Sequence, residues 1–568
     1  MRSFLQEKFG FPDFRGGQER VLTALGQNDV LAVMPTGSGK SMCYVLPALI
    51  TSRTLVVSPL IALMQDQVES LTAAGVPAAF INSTLSREEQ NKNYLDFIYG
   101  RVNLLYVAPE RFTNQMFVDG LRKAGIRLLA IDEAHCMSQW GHDFRPDYLR
   151  LGAIRERLGS PRTLALTATA DPQVQADITR NLGLTDTATT VVTSVDRPNL
   201  QFRVVTIAWA DEGVEWLRNY LRGKQGTTGI VYARTRQSVD DMVNVLADAG
   251  LSVAGYHAGM LSEERASVQR LFMRDEISIV VATNAFGMGV DKPDVRFVVH
   301  MNMPGRIEAY YQEAGRAGRD GEPAQCVLLF HPDDESSQQW FIDRAHPSDE
   351  TVRSIWFQMI SGTDAATNLG NVAGQDGYAS AFNALRNSGL IGENRALVSQ
   401  NPAAAIDTES IRAHQRHAEE RLMRMVGYAK SFECRRKLIL NYFGEEAPER
   451  CGACDNCLKS PAAATTSASP RPMGSPSGSL QRPLQGVPSS PGGLSEKELY
   501  ALLAQWRLDR ARTDGVAAYA VCSPKALREI AFIQPQDSDT LAGIWGFGVA
   551  RVDRYGADIL AIVNARRQ

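Results

Sequence analysis

Long apolar runs are missing from this 568-residue chain. No stretch reaches the roughly 18 apolar residues that cross a bilayer, so the expectation is a protein without membrane spans. The opening residues, MRSFLQEKFGFPDF, lack the apolar core of a secretory signal. Charge of one sign is missing too. With 60 Lys and Arg against 63 Asp and Glu, the net charge is −3. No global positive field attracts polyanions, and any contact with nucleic acid needs a local patch. Cysteine is scarce, and eight residues in a chain this long do not make a disulfide scaffold. No internal repeat of fixed period is present, which excludes a solenoid. Hydrophobic residues make up 44% and charged residues 22%, which excludes a wholly disordered or fibrous chain. The expectation is a soluble protein of a reducing compartment, the cytoplasm, with three or four domains at roughly 150 residues each.

What is present alternates. Val30–Met34, Thr54–Ser58, Val102–Val107, Leu128–Ile131 and Thr163–Leu166 read as strands separated by amphipathic stretches, the pattern of a parallel α/β sheet. The pattern restarts near Gly229 with GIVYA, LSVAGYH, ISIVVAT, VRFVVH and AQCVLLF. Two consecutive α/β domains, 1–200 and 201–335, imply a cleft between them where ligands of such sheets bind. Residues 336–410 turn helical, with ENRALVSQ as a short hairpin, so either a winged-helix-like element or a plain helical spacer fits. A basic helical stretch and a cysteine cluster occupy 411–458. Residues 459–493 have no aromatic residue and are largely Pro, Ser, Ala and Gly, a flexible tether with a reach of roughly 30–35 Å. Helical periodicity returns over 494–568 as a small all-α domain.

MPTGSGKS (34–41) follows an apolar strand and precedes an apolar helix. Main-chain amides around Thr36, Gly37, Ser38 and Gly39 can cradle phosphates at a helix N-terminus. Lys40 can reach the β- and γ-phosphates, and the Ser41 hydroxyl can ligate Mg²⁺. The strict pattern wants glycine where Met34 stands. In LLAIDEAH (128–135) a strand ends in two acids: Asp132 can hold Mg²⁺ through water, and Glu133 is placed to polarise an attacking water. An acidic strand-to-helix cap is the plainer reading. In QEAGRAGRDG (312–321), Gln312, Arg316 and Arg319 are spaced to share one helix face. Gly315 and Gly318 inside a helix would each cost about 0.5–1 kcal/mol, so something must approach the backbone there. An arginine aimed at the γ-phosphate stabilises transition-state charge, whereas a solvated basic face explains the arginines alone.

These motifs, with ALTATA (165–170), occur in the order found in superfamily 2 helicases, which the chain resembles. FGFPDFRGGQ (9–18) and CMSQWGHDFRPDYLRL (136–151) narrow the resemblance to the RecQ DNA helicases. The resemblance implies two tandem RecA-like domains that bind ATP between them, with Phe11, Arg15 and Gln18 on the adenine. Phe11 stands where tyrosine is common, so stacking survives and a phenol hydrogen bond does not. Arg319 would be the arginine finger, with Arg316 supporting the phosphate and acidic groups. The resemblance also implies translocation 3′→5′ on single-stranded DNA, duplex unwinding, and roles in recombination and repair.

After His135 the chain carries Trp140, His142, Phe144 and Tyr148 interleaved with Arg145 and Arg150. Aromatic faces stack on single-stranded bases and arginines hold phosphates, so this loop can report bound DNA to Glu133. A packed aromatic core loop is the alternative. SPLIALMQDQ, APER, ARTRQS, YHAGM and TNAFGMGVDKPD sit at strand ends, where the resemblance implies a DNA groove or the inter-domain cleft. Cys434, Cys451, Cys454 and Cys457 read C-x16-C-x2-C-x2-C, a set of thiolates suited to a closed structural Zn²⁺ site. An iron–sulfur cluster would use the same ligands, and the resemblance of CRRKLILNYFGE and CDNC to the RecQ zinc segment favours zinc. The tail, with Trp506, Arg507, Arg510, Arg512, Lys525 and GIWGFGVARVDRYG, resembles an HRDC domain, or serves as a helical protein-interaction module.

RecQ proteins usually place a winged helix between the zinc segment and HRDC, where this chain has its tether. The expectation is therefore a winged-helix-like element upstream, within about 350–400, with Gly392–Gln400 as a strand-separating pin. Expected ligands are ATP, Mg²⁺ and Zn²⁺, and expected partners are single-stranded and duplex DNA, with single-strand-binding or recombination proteins as further partners. The rival readings are an RNA or RNA–DNA helicase and a non-hydrolytic nucleic-acid-binding or annealing scaffold.

Overall fold

The computed structural model describes residues 1–51, 53–59, 61–138, 144–185, 188–224, 226–286, 292–361, 374–392, 396–459, 496–514, 521–522, 524–544 and 549–564. They fall into two units, the first being Met1–Thr206, Trp216–Phe330 and Arg412–Cys457.

Within that unit the first sheet contains β1 (Asp29–Val33), β2 (Thr54–Val57), β3 (Ala78–Ile81), β4 (Leu104–Val107), β5 (Leu128–Ile131), β6 (Arg162–Thr167) and β7 (Ala188–Val192). Its order is β3-β4-β2-β5-β6-β1-β7, and every pairing is parallel. Alternate side chains leave on opposite faces and build two cores. Leu31, Val33, Leu55, Val57, Leu129 and Ile131 pack on one face, and Val30, Ala32, Val56, Leu128 and Ala130 on the other. Helices cover both faces, so these strands read as continuous apolar runs.

The second sheet holds β8 (Leu200–Thr206), β9 (Gly229–Tyr232), β10 (Val253–Tyr256), β11 (Ile279–Ala282), β12 (Phe297–His300) and β13 (Ala324–Phe330), ordered β10-β11-β9-β12-β13-β8. Both sheets are the parallel, doubly covered layers of RecA-like domains. Each strand expected from sequence is present, with ends shifted by a few residues at most. β3, β7 and β8 were not expected. β3 is the short run AAFI, β7 is a threonine-rich edge, and β8 precedes the point where the apolar pattern visibly restarts.

Helix Glu409–Lys430 begins the third part of this unit. Its Arg421 is buried and pairs with Glu308 at 3.2 Å and Asp171 at 3.9 Å, one acid from each α/β domain.

The second unit comprises Ile207–Glu215, His331–Ile411 and Leu458–Gln568. Helices Asp349–Ile360 and Gly374–Asn387 pack around Trp356, Ile355 and Leu385. An antiparallel bridge joins Ile391 to Leu397, and the Gly392 amide donates to Ala396 O at 2.8 Å. Of the expected hairpin, this single bridge is what the described residues contain, since Glu393–Arg395 lie outside them. The tail is all-α, with helices Glu496–Asp514, Pro524–Ile533, Ser538–Ala542 and Val549–Asn564 around Leu503, Leu527 and Ile559. No helix among the described residues is long and apolar enough to cross a membrane.

Candidate active site and cysteine cluster

In the first sheet, β1, β6 and β5 are neighbours, so Val33, Thr167 and Ile131 end side by side at one sheet edge. Parallel sheets bind ligands at this carboxyl end. From β1 the chain turns through Thr36–Ser41 into helix Met42–Thr51. Gly37 and Gly39 have φ of +83° and +75°, the left-handed region a side chain would strain. At Gly37 a Cβ would also lie 3.2 Å from Arg319 Cγ, so the loop and this arginine are in close packing. Lys40 Nζ sits 3.2 Å from Met34 O. Burial lowers its pKa, opposed by the nearby charges of Glu133 and Asp132. Ser38 turns its hydroxyl back onto Pro35 O at 2.7 Å.

Asp132 is buried at the end of β5. Burial first, and then the Glu133 charge, push its carboxyl up to about 7, against the pull of Lys40. A buried acid abutting a half-buried one calls for a cation between them and the phosphates, and Asp132 with the Ser41 hydroxyl forms the hard oxygen donor set that Mg²⁺ takes. Glu133 holds φ at +47°, a conformation a non-glycine residue rarely adopts. Its Oε2 lies 3.3 Å from His135 Nδ1.

A cavity of about 580 Å³ joins these groups, lined by Phe11, Arg15, Gln18, Thr36, Gly37, Gly39, Lys40, Ser41, Asp132, Glu133, Gln312, Arg316 and Arg319. Of the residues expected to hold nucleotide, Ser38 alone is not on its wall. Arg15 lies over the Phe11 ring at 4.6 Å. Gln18 is buried; its Nε2 donates to Gly39 O at 2.9 Å and to Ser38 O at 3.1 Å, and its Oε1 accepts from the Arg15 amide. Gln18 thereby props the phosphate loop.

One expectation is corrected here. Gln312, Arg316 and Arg319 do not share a helix face, because helix Ile307–Ala314 ends before the arginines. Gly318 has φ of +56°, and a Cβ there would lie 2.5 Å from Asn199 Nδ2. Gly318 is therefore explained by a turn packed against Asn199, while at Gly315 a Cβ would lie 2.9 Å from Tyr311 O and 3.7 Å from Thr36 Cβ. Arg316 is buried and hydrogen-bonds the Tyr232 hydroxyl, while Arg319 reaches the cavity. Sequence reasoning missed Arg197 altogether. Its Nη2 lies 2.7 Å from Gly318 O and its Nη1 3.2 Å from Thr36 O. The only signal was a polar DRPN run between the two apolar patterns.

The nucleic-acid candidates divide. Trp140 and His142 lie outside the described residues. Phe144 is half-buried, and Arg145 Nη1 donates to Pro59 O at 2.8 Å, tying this loop to the SPLIALMQDQ segment. His135 is 2% exposed, so it cannot touch a DNA strand; it joins Glu133 to Thr167. Tyr148 is likewise fully buried, with its hydroxyl on Asp132 O at 3.1 Å, which corrects its reading as a base-stacking ring. In the tail, Arg507 is buried and paired with Asp333, a packing role rather than an exposed phosphate contact. The Lys525 side chain and residues 545–548 are outside the described set.

The four cysteines converge. Their sulfurs all lie within 4.8 Å of one another, and the pairs Cys451–Cys457 and Cys434–Cys454 are each 4.0 Å apart. A tetrahedral Zn–S site of ~2.3 Å bonds requires sulfurs ~3.8 Å apart, so the set fits zinc with little adjustment. Burial raises the Cys451 thiol, but the amides of Ala453 and Cys454 together with the Cys434 and Cys454 side chains bring it down to about 7, favouring the thiolate a metal needs. The cluster is bolted to the second sheet: Asp455 pairs with Arg435 at 3.1 Å and accepts from the Val204 amide at 3.2 Å.

Family models agree with this arrangement. A DEAD/DEAH box helicase model matches residues 15–178, and a helicase conserved C-terminal domain matches 212–321. A RecQ zinc-binding model matches 392–458, and an HRDC domain model 496–563. The probable ATP-dependent DNA helicase RecS of Bacillus subtilis is 40% identical over 359 residues, covering 62% of this chain and 72% of that one. The chain belongs to the RecQ helicase family. The ATP-dependent DNA helicase RecQ of B. subtilis is 37% identical over 467 residues, 81% of this chain and 67% of its own length. That of Haemophilus influenzae is 38% identical over 462 residues. The match spans 81% of this chain but only 64% of the H. influenzae protein. Within this chain the family models cover both α/β domains and the cysteine cluster, the parts on which the cavity and metal set rest.

Proposed function

We propose that this chain is an ATP-dependent DNA helicase that moves 3′→5′ on single-stranded DNA and opens duplexes during recombination and repair. The observation that carries this reading is a cavity in which the phosphate loop of one α/β domain meets Arg319 of the other. A cleft completed by both domains hydrolyses nucleotide only when closed, so each cycle of binding and release moves one domain against the other.

The roles follow from position. The Phe11 ring and Arg15 take the adenine, and Gln18 exchanges its loop contacts for it. Amides of Thr36–Gly39 and the Lys40 ammonium hold phosphates. Glu133 orients the attacking water, and Arg319, supported by Arg316 and Gln312, meets charge developing on the γ-phosphate. Mg²⁺, held by Ser41 and Asp132, would neutralise phosphate charge when bound. His135 passes the state of the Phe144–Arg145 loop to Glu133. Zn²⁺ on the four cysteines would be structural, since no coordination position is left for water.

As a working division we take 1–200 and 201–335 as the motor domains, 336–410 as an insertion, 411–458 as the zinc segment, 459–493 as a tether and 494–568 as the HRDC-like domain. The RecQ family and its bacterial members support action in the cytoplasm.

The test is ATP hydrolysis with and without single-stranded DNA, followed by unwinding of tailed duplexes of both polarities. Stimulation by DNA and opening of only the 3′-tailed duplex are expected. Hydrolysis indifferent to DNA sinks the reading, and stronger competition by RNA than by DNA moves it to an RNA helicase.

A further inference from the structure

Between the two sheets the chain passes through Thr193–Asn199, and one side chain of this connection touches both walls of the cleft. Arg197 donates through Nη1 to Thr36 O at 3.2 Å and Gly315 O at 3.3 Å. Through Nη2 it donates to Ala317 O at 2.9 Å and Gly318 O at 2.7 Å. Thr36 belongs to the phosphate loop, and the other three carbonyls belong to the turn that carries Arg319. Asn199 closes the same turn, donating to Gly318 O at 2.7 Å and Glu322 O at 2.9 Å. The four Arg197 acceptors are main-chain oxygens, so Arg197 reads backbone position on both loops; its Nε also donates to Asn199 Oδ1 at 3.4 Å.

The connection is itself pinned from the cysteine-bearing segment. Arg436, buried, pairs with Asp196 at 2.9 Å and donates to Pro198 O at 3.0 Å and Leu200 O at 2.8 Å. Glu445 accepts from the Ser194 hydroxyl at 2.7 Å and from the Val195 amide. Arg197 is thus the free arm of a clamped hinge.

We propose that Arg197 is a positioning residue for phosphoryl transfer, holding the Arg319 turn at the phosphate loop across the hinge. This rests on the nucleotide-hydrolysis reading above. A planar guanidinium can serve four carbonyls on two loops at once; an ammonium cannot. Without it the phosphate loop still binds nucleotide from its own domain, but Arg319 is no longer presented in register, and small misplacements of a transition-state group are costly.

The experiment uses the full chain, with Arg197→Ala, Arg319→Ala and the double variant. In Arg197→Ala the kcat of hydrolysis at saturating single-stranded DNA should fall about 100-fold, the loss expected when a transition-state group is misplaced by roughly 1 Å. The Kd for ADP, by calorimetry, should stay within about threefold. Added to Arg319→Ala, the Arg197 change should cost less than about threefold, because the group it positions is already gone. Arg197→Lys should recover part of kcat. Unchanged kcat, or full additivity with Arg319→Ala, overturns the proposal. So does an ADP affinity that falls in step with kcat, which would make Arg197 a prop of the phosphate loop alone. If Arg197→Ala melts early or loses zinc, the same cycle is read with Arg197→Lys. A wild-type chain that does not hydrolyse ATP sinks the functional reading itself; an active wild type with an indifferent Arg197→Ala sinks only this inference.

Discussion

His135 Nδ1 and the Thr167 hydroxyl stand 2.9 Å apart, a buried link between the end of the acidic motif and the end of β6. The hydroxyl in turn donates to Thr169 O at 3.0 Å, and the same imidazole nitrogen lies 3.3 Å from Glu133. A shift in either segment is therefore felt at the group that orients water. Thr167→Val keeps the shape and removes the hydroxyl. It should cut DNA stimulation of ATPase about tenfold, the kinetic equivalent of one buried hydrogen bond, while basal hydrolysis changes less. His135→Ala should do the same. Intact stimulation in both variants would reduce the link to packing.

Lys40→Ala should abolish hydrolysis, by about a hundredfold or more, since a charge-assisted contact to the transferring phosphate is lost from a water-poor site. Melting temperature and bound zinc should match wild type, because among the described residues the Lys40 ammonium hydrogen-bonds only Met34 O and, more loosely, Pro35 O. Measurable wild-type turnover would refute the phosphate role.

Magnesium dependence should shift with pH. Burial and Glu133 raise the Asp132 carboxyl to about 7 in the ion-free protein. Protonation dominates below that value, so a proton competes with Mg²⁺ in acid and is absent in mild alkali. The half-saturating Mg²⁺ for ATPase should rise about tenfold from pH 8 to pH 6. In Asp132→Asn it should be high and flat across that range. A wild-type requirement independent of pH would mean that Asp132 is already ionised without the metal.

Zinc removal should loosen more than its own segment. Asp455, within the CGACDNC run, anchors both Arg435 and the Val204 amide of β8, so losing the metal frees the edge of the second sheet. Cys454→Ser should bind less than one zinc per chain and lower the melting temperature by several degrees, in line with the large share of folding free energy such sites supply. Full metal content in this variant, by elemental analysis, would exclude Cys454 as a ligand.

Much of this was legible in the residues. The phosphate loop shows in sequence because its demand is local: Gly37 and Gly39 must take positive φ, directly between an apolar strand and an apolar helix. The strands show because parallel β-structure buried on both faces needs unbroken apolar runs. The cysteines show because short spacing brings thiolates to one point whatever the fold around them. The rest depends on who the neighbours are. Spacing suggested a helix through Arg316 and Arg319, yet Asn199, more than a hundred residues earlier, forces a turn at Gly318. Tyr148 has the same composition signal as a base-stacking ring, but its hydroxyl is turned inward onto Asp132 O.

The sequence by itself determined the two parallel α/β layers, the phosphate-binding turn, the acid pair and the metal ligands, because each strand, turn and ligand set is specified locally by backbone or ligand chemistry. Only the tertiary structure decided which arginines meet the phosphate loop, which aromatics are core, and that Arg197 joins the two domains. Those contacts run to main-chain carbonyls in distant segments, and a carbonyl carries no residue identity for a sequence to display.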